Sequence, residues 1–557
     1  MQVLGKMGTR ERIFFLGFFL SMMTVTPYSV MDPINLPKMT VLGVMSFTLL
    51  GACLNRQTLS QLRSQKLPLT LVGLFIFQGL LVLTLSGRNL DEGLYGVSGR
   101  NTGFLTYLSF SIVLFVASLL VSNEFIKSYI FVLIITGSLL LIYGVIQHIG
   151  LEPFPYINAY ENNVFGTFGN PNFQSAFMGI FGSLLFALAL NQENSLRARL
   201  AFSLMTCATV FGVFITNSWQ GFFNFAAGAG IALILNFYRL RKNAIASVFL
   251  AFGVSLGTLV FMGLLNQGPL STLLQKASLS ARRFYWEAGT RMLLDHPLFG
   301  VGWDGFGDWF RRARTPEAIN YNAGLIADSA HSIPIDVASS GGIPLIFLYF
   351  AFIVLAVLSV IKVVKSQGKM SVNFIALVAA WVSYQAQSVI SINQIGLGVI
   401  GWSLTGLIIG YGYFINSDSK DSDGKPLKPN PKTTQQKFSF TAYFAPLAGL
   451  IIGCLIFLPP FVSANKFYEG IKTSDARVIN ANAYLKPLEL RRMLYAASLL
   501  ENNKFYKESH EIGLTTVENF PDSYEAWTFF LKLTNSTEAD KSRANSEINR
   551  LDPSRKL

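Results

Sequence analysis

Apolar runs of about 20 residues recur along this chain between short polar connections, and a helix of that length crosses the ~30 Å hydrocarbon core of a bilayer. At that period, spans are predicted near residues 13–31, 38–54, 68–85, 103–121, 128–149, 172–190, 199–216, 221–237, 244–265, 343–363, 372–391, 396–415 and 439–463. The fold class that follows is all-α, a polytopic membrane helix bundle of about thirteen transmembrane helices, because lipid offers no partner to an unpaired backbone group. Lys6, Arg10 and Arg12 precede the first run, no small-residue cleavage site follows it and a second span comes next. It therefore reads as a retained signal-anchor.

Longer polar stretches interrupt this rhythm. Residues 266–342 form a long connection in which 281–295 and 303–314 have helical patterning, so a helical external loop is expected there. Residues 416–438 are polar, rich in Pro and Lys, and have nothing to bury, which reads as a flexible linker. Pro459 and Pro460 are expected to close the last span, after which 464–557 turns amphipathic and reads as a small C-terminal helical module. Pro521 ahead of Tyr524, Ala526 and Trp527, and a closing LDP at 551–553, resemble degenerate tetratricopeptide units. The expected division is a membrane domain at 1–463 and the module at 464–557.

Composition agrees and charge adds orientation. Charged residues make up 13% of the chain and hydrophobic ones 51%, where a soluble chain carries roughly 25% charged. Connections on the N-terminal side hold twenty Lys and Arg, whereas the short connections opposite hold only Lys38, Arg88 and Arg100. Basic residues stay inside, so the N-terminus and the linker 416–438 are expected in the cytoplasm, with loop 266–342 and the module outside. The same distribution explains the net charge of +13. The cytoplasmic segments set six acids against those twenty, while the loop balances seven basic residues with seven acids and the module fourteen with thirteen. No electrostatic footprint for nucleic acid is left over. Cys53, Cys207 and Cys454 all fall within spans, which gives neither an external disulfide nor a CxxC metal site.

Candidate chemistry is sparse. His148, His296 and His510 sit at helix ends or in the tail, but His331 lies in ADSAHSIPIDVASSGGIP, just before the tenth span on the expected outer face. Arginine suits pyrophosphate, because its planar fork offers five donors and keeps its charge. Arg100 in YGVSGRNTG and the pair Arg282 and Arg283 in SARRFYWEAG lie beside glycines or aromatics that would shape a pocket. Arg311, Arg312 and Arg314 read instead as a solvated or headgroup-facing patch. In GTFGNPN, Asn170 caps and Pro171 opens the sixth span, and the N-terminus around Asn170 and Asn172 faces outward, where free N–H groups favour phosphate. GVGWDG at 300–305 matches a dinucleotide fingerprint literally, but no strand precedes it, so it reads as a tight turn. Asp304 and Asp308 have no third ligand at helical spacing and read as a solvated face, so no metal is expected.

Taken in order, these motifs resemble one family. ARRFYWEAGTRMLLDHPLFGVGWDGFGDWF at 281–310, AHSIPIDVASSGGIPLIFLYF at 330–350, GNPN at 169–172 and GRNTG at 99–103 are similar to the bacterial O-antigen ligase and polymerase superfamily. The resemblance implies a metal-independent, cofactor-free inverting glycosyltransferase in the bacterial cytoplasmic membrane. Its donor would be a glycan on undecaprenyl pyrophosphate and its acceptor a hydroxyl on a lipid, a glycan or a protein, with membrane lipids around it and a protein partner through the module. His331 matches the family's functional histidine, and Arg282, four before Trp286, its arginine, with Arg283 as the neighbouring choice. TNSWQG at 216–221 places Trp219 where many ligases carry a second arginine, so either Arg100 supplies that contact or the chain belongs to a subgroup that grips the donor differently. Asp328 would orient the imidazole if its segment were helical. A transporter or a non-catalytic scaffold are the alternatives; the spans hold almost no acidic residue and no repeated half, which a transporter would more often show.

Overall fold

The computed structural model describes residues 7–26, 32–54, 62, 65–154, 160, 163–274, 277–366, 370–417 and 440–556. The end of the first expected span, 27–31, and nearly all of the expected linker, 418–438, lie outside the described residues. The chain is helical, with no strand among the described residues. In the membrane domain the helices are α1 (Thr9–Met23), α2 (Asn35–Cys53), α3 (Lys66–Leu85), α4 (Leu90–Tyr95), α5 (Phe104–Leu119), α6 (Asn123–His148), α7 (Pro171–Ala189), α8 (Leu196–Phe214), α9 (Gln220–Arg239) and α10 (Asn243–Leu264). The long loop adds α11 (Ala277–Asp295), α12 (Phe306–Ala313) and α13 (Pro316–Tyr321), followed by α14 (Ile333–Lys365), α15 (Val372–Val389), α16 (Ile395–Ser417) and α17 (Phe440–Thr473). The module holds α18 (Ala476–Ala483), α19 (Leu490–Asn502), α20 (Tyr506–Asn519), α21 (Tyr524–Leu531) and α22 (Glu538–Leu551).

Among the described residues each predicted span holds a helix, and ten of these helices are long and apolar enough to cross a membrane. The remaining three are α1 and α5, with 15 and 16 residues, and α15, whose Asn373, Gln385 and Gln387 lower its apolarity. α15 tolerates these because it packs between α7, α9 and α16, away from lipid. α1 stops at Met23, well short of residue 31. Its last carbonyls are taken by Lys38, 0% exposed, whose Nζ donates to the oxygens of Met22 and Ser21, and by the Thr167 hydroxyl, 2.7 Å from the Met22 oxygen. A cation at a helix C-terminus also suits the helix dipole.

α2 and α17 pack backbone to backbone through small residues. A methyl group at Gly51 would stand 2.1 Å from the Ala445 carbonyl oxygen, and one at Gly449 2.2 Å from that of Phe47. Such close approach is what holds helices together where burial of apolar surface supplies no drive. Contrary to expectation, Pro459 and Pro460 do not close the last span; α17 runs unbroken to Thr473. Pro460 has no N–H and frees the Ile456 carbonyl, which accepts instead from the Tyr95 hydroxyl at 2.8 Å. A neighbour thus replaces the missing bond, the condition under which proline survives inside a spanning helix. The boundary expected at 463–464 falls within this rod.

α14 breaks where the sequence expects the tenth span to begin. Gly342 has φ +75°, a conformation that glycine adopts without strain, and Ile343 starts the apolar segment. The carbonyls of Ser339 and Ser340 released by the break accept from the N–H groups of Val301 and Gly302 at 2.8 and 3.1 Å. GVGWDG is therefore the expected tight turn, plugged into a helix break, with Trp303 buried and donating to the Gly79 carbonyl at 2.9 Å.

The module docks on the loop, which corrects the reading of Arg311, Arg312 and Arg314. Arg314 pairs with Asp552 at 2.9 Å, the side chains being 3% and 6% exposed, Arg311 lies 3.4 Å from the same carboxylate, and Arg312 lies 3.2 Å from Asp522. None of this was visible as a local pattern, since the partners lie more than 200 residues away. Removing one partner of a buried pair leaves the other charge uncompensated, at a cost of about 3–5 kcal/mol. Asp552→Ala is accordingly expected to loosen the module from the loop. Limited proteolysis of the membrane-embedded protein checks this, and a variant as resistant as the wild type refutes it.

Candidate active site

Two cavities open at the end of the bundle that carries the loop and the module, one of about 450 Å³ and one of about 220 Å³, and Arg100 and Asp328 line both. Arg100 comes from the turn between α4 and α5, where Gly96 and Gly99 have φ of +82° and +88°. The turn wraps the carboxylate of Asp304, which accepts from the Val97 N–H at 2.9 Å and the Thr102 hydroxyl at 3.1 Å. Arg100 Nε lies 3.1 Å from Asp304 Oδ1, near enough for an ion pair although not aligned as a hydrogen bond, and a terminal nitrogen donates to the Asp328 carbonyl. Burial alone would lower the pKa of this guanidinium, but Asp304 and Asp328 outweigh it and raise it, so Arg100 stays charged. The solvated face expected for Asp304 and Asp308 is thereby corrected: Asp304 is buried on Arg100, and Asp308 pairs at 2.6 Å with Arg88, itself 2.8 Å from Glu92.

His331 lines the larger cavity and stacks on Tyr285 of α11, ring centroids 5.5 Å apart. Its segment is pinned by the Ala330 N–H donating to Asp336 at 2.7 Å and its own N–H donating to Ser329 at 3.0 Å. The residue has φ +50°, an uncommon conformation for a side-chain-bearing residue and one that often marks functional sites. Burial first, then the charges of Arg282 and Arg100, lower its pKa to about 4 against the pull of Asp328. The imidazole is therefore neutral near pH 7 and able to accept a proton.

The two arginines of α11 separate cleanly. Arg283 Nε donates to Glu287, one turn on, at 2.7 Å. Arg282 makes no ion pair among the described residues, and its buried Nη1 has no hydrogen-bond partner. Burial lowers its pKa to about 10, with Tyr285 opposing, so it too remains a cation at neutral pH. Arg282 lines neither cavity, yet its charge acts on His331.

Asn170 caps α7 as expected, accepting from the Asn172 N–H at 2.8 Å, and lines the smaller cavity with Asp32, Asn35 and Asn393. Asn172 is engaged elsewhere, its side-chain oxygen accepting from Ser218 at 2.7 Å, and Trp219 is 63% exposed. Residues 325–330 are not helical, so the spacing from Asp328 to His331 does not seat the carboxylate under the imidazole; Asp328 sits instead 4.0 Å from Arg100. His331, Arg282, Arg100 and Asp328 thus share one neighbourhood, which Asn170 joins through the smaller cavity. Sequence reasoning missed the wall that the module gives the larger cavity, Pro487–Arg492 and Ser523–Glu525, because no spacing within the tail points to the loop.

A neutral base and a fixed cation on an open cavity, with a partly buried second cation acting on the base, suit chemistry in which a hydroxyl loses a proton as negative charge builds on a phosphate. Residues 204–350 match the family model described as O-antigen ligase. No curated protein matches the chain. Arg282 and His331 fall inside the matched segment, whereas Arg100 and Asn170 lie upstream of it. Through residues 204–350, about a quarter of its length, this multi-pass membrane protein is similar to the O-antigen ligase family, the same family that its loop motifs resemble.

Proposed function

We propose that the protein transfers a glycan from an undecaprenyl pyrophosphate carrier to an acceptor hydroxyl, with inversion, at the outer face of a bacterial cytoplasmic membrane. The observation that carries this reading is Arg282, a partly buried cation whose buried Nη1 has no hydrogen-bond partner among the described residues and whose charge acts on the neutral imidazole of His331. A ring nitrogen of His331 takes the proton of the acceptor hydroxyl while its oxygen attacks the anomeric carbon from the face opposite the pyrophosphate. The bond from that carbon to the pyrophosphate oxygen breaks, and its electron pair leaves with the pyrophosphate, where Arg282 and Arg100 meet the added charge. The cavity of about 450 Å³ gives the glycan and the acceptor a place to align.

A pKa near 4 makes His331 a weak base until the donor arrives. A bound pyrophosphate offsets the repulsion from Arg282 and Arg100 and so raises the basicity of the imidazole, which ties proton removal to donor occupancy. Incubation of the purified protein with a lipid-pyrophosphate glycan and hydroxyl acceptors tests the reading. The expected result is a product with inverted anomeric configuration, seen by mass spectrometry and NMR. No product from any lipid, glycan or peptide acceptor, by protein that binds the donor, would sink it.

A further inference from the structure

The module contributes more than a wall. Its segment before and into α19 is held tightly against the membrane domain: the Leu488 N–H donates to Asp91 at 2.8 Å, and Lys486 lies 3.6 Å from the same carboxylate. Arg492, buried, donates to the Ser463 hydroxyl at 3.0 Å and to the carbonyls of Leu485 and Pro487. Arg491, its neighbour in sequence, is exposed on the larger cavity and has neither an ion pair nor a hydrogen bond among the described residues. Its Nη1 lies over Gly99, 3.3 Å from where a Cβ would stand, one residue from Arg100. Its charge also reaches the buried Asp32 carboxylate, which lines the smaller cavity together with Arg100. Fixed anchors on both sides thus hold a cation, unpaired among the described residues, on the cavity that Arg100 also lines. An anion in that cavity can meet both charges, and a guanidinium fork matches two phosphate oxygens at once.

We propose that Arg491 completes the donor site, so that pyrophosphate in the larger cavity is held between Arg100 from the membrane domain and Arg491 from the module, with Arg282 outside that lining and acting on His331. This deepens the transferase reading and rests on it for the identity of the anion. It also makes the module a part of the binding site rather than an appendage.

The test measures affinity of purified full-length protein in detergent for two probes, inorganic pyrophosphate and farnesyl pyrophosphate. Arg491→Ala is expected to weaken both by on the order of 10-fold or more, the scale of a lost charged hydrogen bond. Arg491→Lys should lose less, and Arg477→Ala, on a side chain 93% exposed in the same module, should match the wild type. The unfolding temperature of Arg491→Ala should stay at the wild-type value, since no partner is lost. Unchanged affinity for inorganic pyrophosphate overturns the assignment, and so does a loss confined to the farnesyl probe, which would place Arg491 on the lipid. Wild-type protein that binds both probes but transfers nothing leaves the anion site standing and removes the transferase reading.

Discussion

Transfer by His331→Ala is expected to fall by about 10²–10⁴-fold with donor affinity kept, since a positioned base contributes on that scale and touches the acceptor rather than the pyrophosphate. Its pH profile offers a sharper check. In the free protein the imidazole has a pKa of about 4, lowered by burial and then by Arg282 and Arg100. The neutral, active form is present above that value and is lost as pH falls through it, so the acid limb of kcat/KM, which reports the free enzyme, should lie near pH 4. The acid limb of kcat reports the donor complex, where the bound anion offsets both arginines, and should lie at higher pH. A kcat limb at or below that of kcat/KM, or wild-type transfer by His331→Ala, removes the base role.

Arg282→Ala should lower transfer by about 10²–10³-fold, the range seen when a donor to a developing charge is removed, and should weaken donor binding as well. Arg283→Ala should come within a few-fold of the wild type, because Glu287 already neutralises Arg283 on the helix surface. The comparison rests on physical difference alone, since the two residues are adjacent in sequence and identical in charge. Arg282→Lys should recover only part of the loss, an ammonium giving a point charge without the planar fork. A severe defect at Arg283 with a mild one at Arg282 would reverse the assignment.

The helices of the bundle could be read from sequence because apolar length is a local property and lipid permits few answers. Their ends were less legible. Pro459 and Pro460 look like a stop until Tyr95, over 350 residues away, supplies the missing donor to the Ile456 carbonyl. The start of the tenth span at Ile343 was legible, but not the helical turns before it that the break at Gly342 joins to it. In the candidate site, His331 and Arg282 stand out through motif and position, and the pairing of Arg283 with Glu287 is readable in their spacing of four residues. What could not be read were charges whose partners lie far along the chain. Asp304 and Asp308 looked solvated, and Arg311, Arg312 and Arg314 looked like a headgroup patch, because Arg100, Arg88, Asp522 and Asp552 are brought to them only by the fold.

The continuity of α17 gives the module a phase. Between Ser463 and Thr473 the chain is one rigid rod, so the azimuth at which the module meets the loop is fixed by a residue count. Each residue added to that stretch would turn everything beyond it by about 100° and raise it by 1.5 Å, and seven would nearly restore the angle while lifting the module by about 10 Å. No whole number of residues returns both height and direction. A chain that exchanged its module for another could therefore keep Arg491 over Gly99 only by conserving the length of the helix that leads to it.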